Sequence, residues 1–85
     1  MSSNNGRRLA IMKDVGIGVR DVGRPVMFFS TYISESVAAL QILSLEQAYA
    51  LLNQAQVYDV KDLEGKPCWV EEGNGMIKFL EYAKI

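Results

Sequence analysis

The longest apolar stretch of the chain covers residues 37–55, and its periodicity changes half-way along. In the second half apolar side chains recur at steps of three and four, which predicts a helix over Leu45–Ala55. Ser44 and Gln47 have the spacing of a capping box, so the helix should begin directly after Ser44. The first half, 37–43, is short and evenly apolar, and we interpret it as a buried strand, with a helix as the alternative. The predicted apolar face of the helix consists of Leu45, Ala48, Tyr49, Leu52 and Ala55.

Two segments with strand patterns precede this stretch. Residues 9–22 alternate between apolar and polar side chains, and Gly16 and Gly18 interrupt them, which indicates a bulge or a close backbone approach. Glycine and proline over 21–25 predict a turn. Residues 25–33 form the clearest strand, because they are rich in aromatic and branched side chains. Both alternating sets are apolar in its first half, so we expect this strand to be covered on both faces.

The last third of the chain predicts a short turn and then a β-hairpin. Asp59 should cap the turn, which ends at Gly65. The Asn74-Gly75 pair predicts a tight hairpin between 66–72 and 76–82. The resulting register pairs Glu71 with Lys78, Val70 with Phe79 and Trp69 with Leu80. It places Cys68, Val70, Ile77 and Phe79 on one face and Trp69, Leu80 and Tyr82 on the other.

These elements predict a single α+β domain over residues 1–85, with residues 1–7 expected to be flexible. The predicted architecture is a three-stranded antiparallel meander, one amphipathic helix and a C-terminal β-hairpin. The order of strands and helix is also that of the five-stranded OB-fold barrel. An OB-like small barrel and an open curved sheet with the helix across one end therefore both remain open.

Composition and charge narrow the class of protein. Hydrophobic residues make up 49% and charged residues 22%, which is typical of a globular domain. No apolar run approaches the length of a membrane span, and the N-terminal residues lack an apolar signal core, so we expect a cytoplasmic protein without a membrane partner. A single cysteine fits a reducing compartment.

The charges are unevenly distributed along the chain. Residues 1–34 hold five basic and two acidic residues, whereas residues 35–85 hold four basic and eight acidic residues. All four arginines lie in the first third of the chain. The preferred interpretation is that folding interleaves these charges on one surface, and the alternative is a basic patch for phosphates or an acidic partner.

The sequence offers little material for catalysis. It contains no histidine, which removes the usual proton shuttle and the commonest zinc ligand. Cys68 lies in a predicted strand beside Trp69, and we expect it to be a buried packing residue rather than a nucleophile. The prediction is a non-enzymatic protein without a cofactor or a metal.

Residues 57–70, VYDVKDLEGKPCWV, carry a resemblance to a known group of proteins. With its Leu63, Gly65, Lys66 and Pro67, this segment resembles one found in small uncharacterised proteins encoded in phages and prophages. Those proteins often carry dense basic residues in the later strand, where this chain has Cys68 and Trp69. The resemblance implies a small viral protein that acts inside a bacterium, and it implies no catalytic residue.

Together these features favour a phage-type protein that binds and inhibits a host protein, within an antiviral defence system. The alternative is a module that binds nucleic acid or a nucleotide signal through an OB-like barrel. The surplus of apolar residues on two-faced strands also predicts a homodimer. The predicted partner-binding residues are Trp69, Leu80 and Tyr82 as an apolar anchor, with Arg20 and Arg24 as charged contacts.

Overall fold

The computed structural model describes residues 6–20 and 23–84 of the chain. Its elements, in chain order, are β1 (Gly6–Arg20), β2 (Arg24–Ser34), β3 (Val37–Ser44), α1 (Leu45–Ala55), a 3₁₀ turn (Val60–Leu63), β4 (Pro67–Gly73) and β5 (Met76–Tyr82). The predicted strand over 37–43 and the predicted helix are both confirmed. Helix α1 begins with the expected capping box, because the hydroxyl of Ser44 accepts from the backbone N–H of Gln47 at 3.2 Å.

All five strands belong to one antiparallel sheet, in the order β3-β2-β1-β4-β5. The prediction of a three-stranded meander with a separate C-terminal hairpin is therefore wrong, although the fold remains a small α+β fold. The cause is the length of β1, which has 15 residues. Its first part, from Gly6 to Ile11, pairs with β4, and its second part, from Ile11 to Arg20, pairs with β2.

A β-bulge in β1 lies where the strand passes from one partner to the other. The register with β2 shifts between Lys13 and Gly16, and Asp14 adopts a left-handed conformation with φ of 56°. The two carboxylate oxygens of Glu64 accept hydrogen bonds from the backbone N–H groups of Asp14 and Val15, each at 3.0 Å. Glu64 thus occupies the backbone donors that the bulge leaves without a ladder partner.

These two hydrogen bonds predict an acid-sensitive contribution to stability. They lower the pKa of the Glu64 carboxyl below 4.5, because they favour its charged form. A group whose pKa is lower in the folded state stabilises the fold above pH 4.5 and loses this effect as the pH falls through the lowered value. We expect Glu64→Gln to reduce the urea midpoint at pH 7 and to differ less from the wild type at pH 3. An equal difference at both pH values would contradict this role of Glu64.

The sheet curves around one core and forms a half-barrel. The outermost strands, β3 and β5, are joined by no backbone–backbone hydrogen bond among the described residues, so the strands do not close a complete barrel. Phe29 and Phe79 pack edge to face on the inner face of the curved sheet, with ring centres 5.3 Å apart. The buried core consists of Ala10, Met12, Met27, Phe29, Leu43, Ala48, Leu51, Val60, Leu63, Cys68 and Val70.

Helix α1 packs on this core with a face that differs from the predicted one. Ala48 and Leu51 are buried, and Leu52 packs against the core. Leu45 and Tyr49, which were predicted to belong to the buried face, are exposed. The helix packs on the sheet through the side that carries Leu51, and Leu45 and Tyr49 therefore face solvent.

The C-terminal hairpin keeps the predicted register near its turn and departs from it further along. Glu71 pairs with Lys78 and Val70 pairs with Phe79, as predicted. A register shift then places Glu81 opposite Trp69, where Leu80 was expected. Tyr82 pairs with Cys68 and so belongs to the inner face. The prediction that Trp69, Leu80 and Tyr82 share one face is therefore wrong, because the extra residue changes the alternation.

The glycines of β1 make the close approach that the sequence predicts. A Cβ atom on Gly16 would lie 2.7 Å from the ring of Phe28, so the ring lies close to the backbone of β1 at this point. Further on, Gly23 lies in the turn before β2 with φ of 78°, while residues 21–22 of the predicted turn lie outside the described residues. Strand β1 begins at Gly6, within the segment that was expected to be flexible, and residues 1–5 lie outside the description.

Candidate functional site

Apolar side chains cover the outer face of β1, β2 and β3. In β2 the inward residues Met27 and Phe29 are fully buried, so the alternate residue Phe28 points outward. Residues that face each other across an antiparallel ladder lie on the same side of the sheet. The ladders of Phe28 with Ile42 and of Ile11 with Tyr32 extend the outward set to both neighbouring strands. We call this set the outer patch: Ile11, Phe28, Tyr32, Leu40 and Ile42.

The outer patch is accessible and nearly uncharged. Leu40 is 64% exposed and Ile42 is 39% exposed, although both lie on a regular strand. Strand β3 carries no charged side chain at any of its 8 positions. The ammonium group of Lys13 lies 5.2 Å from the centre of the Tyr32 ring, and no described carboxylate is within ion-pair distance of it. Among the residues that the structure describes, the outer patch therefore presents an apolar surface with the positive charge of Lys13 at its border.

The apolar surface continues along β1 towards β4. Leu9, which is 41% exposed, pairs with Trp69 on the same side of the sheet as Ile11. The guanidinium of Arg7 lies 5.2 Å from the centre of the Trp69 ring and donates to the carboxylate of Glu81 at 2.7 Å. Trp69 is therefore partly buried on the outer face and does not belong to the core.

The structure brings together only some of the predicted partner-binding residues. Trp69 and Tyr82 line one shallow depression of about 400 Å³, together with Gln54, Glu81 and Lys84. Leu80 lines a different depression, between α1, β3 and β5. The predicted anchor of three adjacent apolar residues is therefore not formed.

The two arginines lie far from this depression along the sheet. Arg24 is exposed at the start of β2 and pairs with Arg20, whose side chain lies outside the described part of the structure. Trp69 pairs with Leu9, so eleven residues of β1 separate the two positions, which corresponds to roughly 35 Å of extended strand. A single small ligand cannot contact Trp69 and Arg24 together.

Folding brings some of the early basic residues onto late acidic residues. Arg7 forms an ion pair with Glu81 at 2.7 Å, and Arg8 forms one with Glu72 at 3.0 Å. All four side chains are exposed, so each pair contributes little to stability. For Arg7 and Arg8 the interleaved arrangement that the sequence favoured is confirmed.

Cys68 is the packing residue that the sequence predicts. It is fully buried on β4, and its burial raises the pKa of the thiol to about 12. A thiol with such a pKa holds almost no thiolate near neutral pH, and the thiolate is the reactive form. Within residues 6–20 and 23–84, no three cysteine or carboxylate side chains are grouped as a metal site. Nor does this part of the chain contain a helix with the length and apolar character of a membrane crossing.

A polar network links β2, β3 and β5 at the gap in the half-barrel, which we call the seam. The amide nitrogen of Gln41 donates to the carbonyl of Ile77 at 2.9 Å and to the hydroxyl of Thr31 at 3.3 Å. The amide oxygen of Gln41 accepts from the backbone N–H of Phe79 at 3.3 Å. Thr31, which is fully buried, donates in turn to the carbonyl of Ala39 at 3.2 Å. The side chain of Gln41, and not its backbone, therefore hydrogen-bonds β3 to β5.

The sequence analysis missed Gln41, and it expected an apolar partner surface but placed its anchor on the C-terminal hairpin instead of the outer patch. The signal for the outer patch is that two consecutive strands are apolar at inward and outward positions alike. The signal for Gln41 is a lone polar residue inside an uncharged apolar strand. Comparison with protein-family models, curated proteins and solved structures finds no match to this chain.

Proposed function

We propose that this protein is a non-enzymatic, phage-type protein that binds and inhibits a host protein of an antiviral defence system. The outer patch is the observation that carries the binding part of the proposal. The host and its defence role rest on the resemblance of residues 57–70 to small phage and prophage proteins. Burial of the only cysteine supports a role in binding rather than in catalysis.

The outer patch has the composition of a protein-binding surface. An outward sheet face is usually polar when it meets only solvent. Here Phe28, Tyr32, Leu40 and Ile42 form neighbouring rows on it, and large exposed apolar patches on small proteins mark interaction sites. Aromatic side chains supply much contact area at a small entropic cost. We infer a partner surface that is apolar at its centre and carries a carboxylate opposite Lys13.

Substitution of Leu40 tests this proposal. We expect Leu40→Asp to weaken binding of the host protein by at least about 2 kcal/mol, roughly 30-fold, because it places a charge at the centre of the contact. Stability should change little, since Leu40 is 64% exposed. Tyr58→Asp is the matched control, because Tyr58 is fully exposed and lies outside the strands.

The measurement begins with capture from a nuclease-treated bacterial lysate and continues with titration of the purified partner. A host protein that the wild type and Tyr58→Asp bind, and that Leu40→Asp loses, supports the proposal. Equal binding by all three proteins would contradict the role of the outer patch. Light scattering of the purified chain tests the homodimer that the sequence predicts.

Two cation–π pairs favour a second candidate function, the binding of single-stranded nucleic acid or a nucleotide. Arg7 with Trp69 and Lys13 with Tyr32 place cations beside rings that could stack on bases. Binding of this kind weakens steeply with added salt, because phosphate contacts release counterions. Loss of the captured host protein after nuclease treatment, together with such salt dependence, would favour this function over the first.

A further inference from the structure

We propose that the open edge of β1 beyond its bulge is the dimer interface of this protein, where two copies pair in antiparallel about a two-fold axis at Gly18. The occupant of the edge is thus a second copy of the chain. The edge is separate from the outer patch, so the inference goes beyond the proposed function and does not depend on it.

Strand β1 has two neighbouring strands as far as Ile11 and only one beyond its bulge. Its ladder with β4 ends at Ile11, and the segment before β4 still binds backbone groups of β1 as far as Val15. From Gly16 to Val19, the described residues show no hydrogen bond other than the ladder with β2. This part of β1 is therefore an edge strand, although β1 is the central strand of the sheet.

The open edge presents the backbone groups of Ile17 and Val19. Val19 faces Pro25, which has no N–H, so the two form a non-hydrogen-bonded pair and the backbone groups of Val19 point away from β2. Met12 has the same orientation, because its N–H and C=O are bound on the side away from β2. Its partner Thr31 is an even number of residues from Pro25 in β2, so the two observations agree. Ile17, two residues before Val19, points the same way.

The same two residues carry apolar side chains that the core leaves uncovered. Ile17 pairs with the buried Met27, so Ile17 and Val19 both lie on the inner side of the sheet. Their exposed fractions are nevertheless 55% and 71%. Natural edge strands are usually protected by charged side chains or proline, whereas residues 15–19 read Val-Gly-Ile-Gly-Val. An uncharged open edge of this kind is a template for pairing with another strand.

The register about Gly18 uses all the open backbone groups of this edge. Ile17 then faces Val19 of the second copy, Val19 faces Ile17, and each pair exchanges two backbone hydrogen bonds. Both pairs place apolar, β-branched side chains opposite each other on one face. An axis at Ile17 would instead bring in Val15, whose N–H is already bound by Glu64 at 3.0 Å. An axis at Val19 would carry Ile17 past the end of β1.

The size of the contact predicts a reversible dimer. The paired segments are roughly 16 Å long, and each contributes only two large apolar side chains. Such a contact is smaller than the roughly 1,200–2,000 Å² of a stable interface. We therefore expect a dissociation constant of about 10–100 µM.

The wild-type protein tests the interface without any substitution. Between about 5 µM and about 500 µM, sedimentation should show conversion of monomer to dimer, and exchange of the Ile17 and Val19 amide hydrogens should slow about four- to ten-fold. The Gly18 amide, which the ladder with β2 already binds, should change least. A monomer at every concentration would overturn the proposal, as would a dimer in which the Ile17 and Val19 amides exchange at unchanged rates.

Two substitutions separate this edge from the outer patch. Val19→Pro removes an N–H that points away from β2, so it should leave the β1–β2 ladder intact and raise the dissociation constant of the dimer at least about ten-fold. Leu40→Asp should form a dimer as the wild type does. A dimer that Leu40→Asp abolishes, or that Val19→Pro retains, would contradict the assignment. Because these experiments contain no host protein, their failure leaves host binding by the outer patch untouched.

A pair of charged variants tests the register. Ile17→Glu and Val19→Lys should each weaken self-association, and both replace exposed side chains, so folding should be preserved. In a mixture of the two variants the opposite charges face each other in the register about Gly18, and a heterodimer should form in preference to either homodimer. Absence of this preference would overturn the register.

Discussion

Phe29→Ala is expected to lower the free energy of unfolding by about 3–5 kcal/mol, which is a large part of the roughly 5–10 kcal/mol available to a domain of this size. Phe29 is fully buried on β2 and contacts the ring of Phe79 edge to face. Removing its ring leaves a cavity between β2 and β5, where the two halves of the curved sheet face each other. The variant should show an early urea midpoint or fail to fold at 37 °C.

Phe28→Ala is the matched control, because it removes the same side chain from the preceding residue of the same strand. Phe28 lies on the outer face against Gly16 and keeps part of its surface in water. We expect it to cost about 1–2 kcal/mol, since less apolar area is lost from the interior. Equal losses for the two variants in urea unfolding would contradict the assignment of the two faces of β2.

Local signals in the sequence located the elements correctly. The capping box of Ser44 and Gln47 marks the start of α1, and the Asn74-Gly75 pair marks the turn of the hairpin. Asp59 caps the short 3₁₀ turn by accepting from the N–H of Lys61 at 3.0 Å. Each of these features is decided by residues that lie within a few positions of one another, so a single sequence reveals them.

Long-range pairing could not be predicted in the same way. The join between β1 and β4 brings Leu9 to Trp69, sixty residues away, and no local preference specifies it. The register shift beside Trp69 was equally unpredictable from local signals. One extra residue in β5 moves Leu80 out of its expected position opposite Trp69 and turns Tyr82 to the inner face. The error in the predicted anchor therefore comes from one bulge rather than from the choice of residue types.

The candidate surface was only partly predictable for the same reason. The sequence predicts that the second strand and the C-terminal hairpin are apolar on both faces, and this is why a partner surface was expected. Which apolar residues stay outside depends on where α1 docks, and α1 covers the inner face alone. Gln41 acquires its role only when the curvature of the sheet brings β5 beside β3.

Gln41→Leu is expected to lower the free energy of unfolding by about 2–3 kcal/mol, although leucine is more apolar and similar in size. The substitution leaves the partly buried carbonyl of Ile77 and N–H of Phe79 without their partner, and a polar group that is left unpaired away from water costs about 1–3 kcal/mol. Burial of the leucine side chain offsets part of this loss.

A double-mutant cycle with Thr31→Val shows whether the loss comes from the network. Thr31 accepts from Gln41, so the two residues should be coupled, and Thr31→Val should cost less in the Gln41→Leu background than in the wild type. Urea unfolding of the four proteins measures the coupling. Additive effects would mean that Gln41 and Thr31 act independently, and an unchanged stability of Gln41→Leu would show that the seam is held by packing instead of hydrogen bonds.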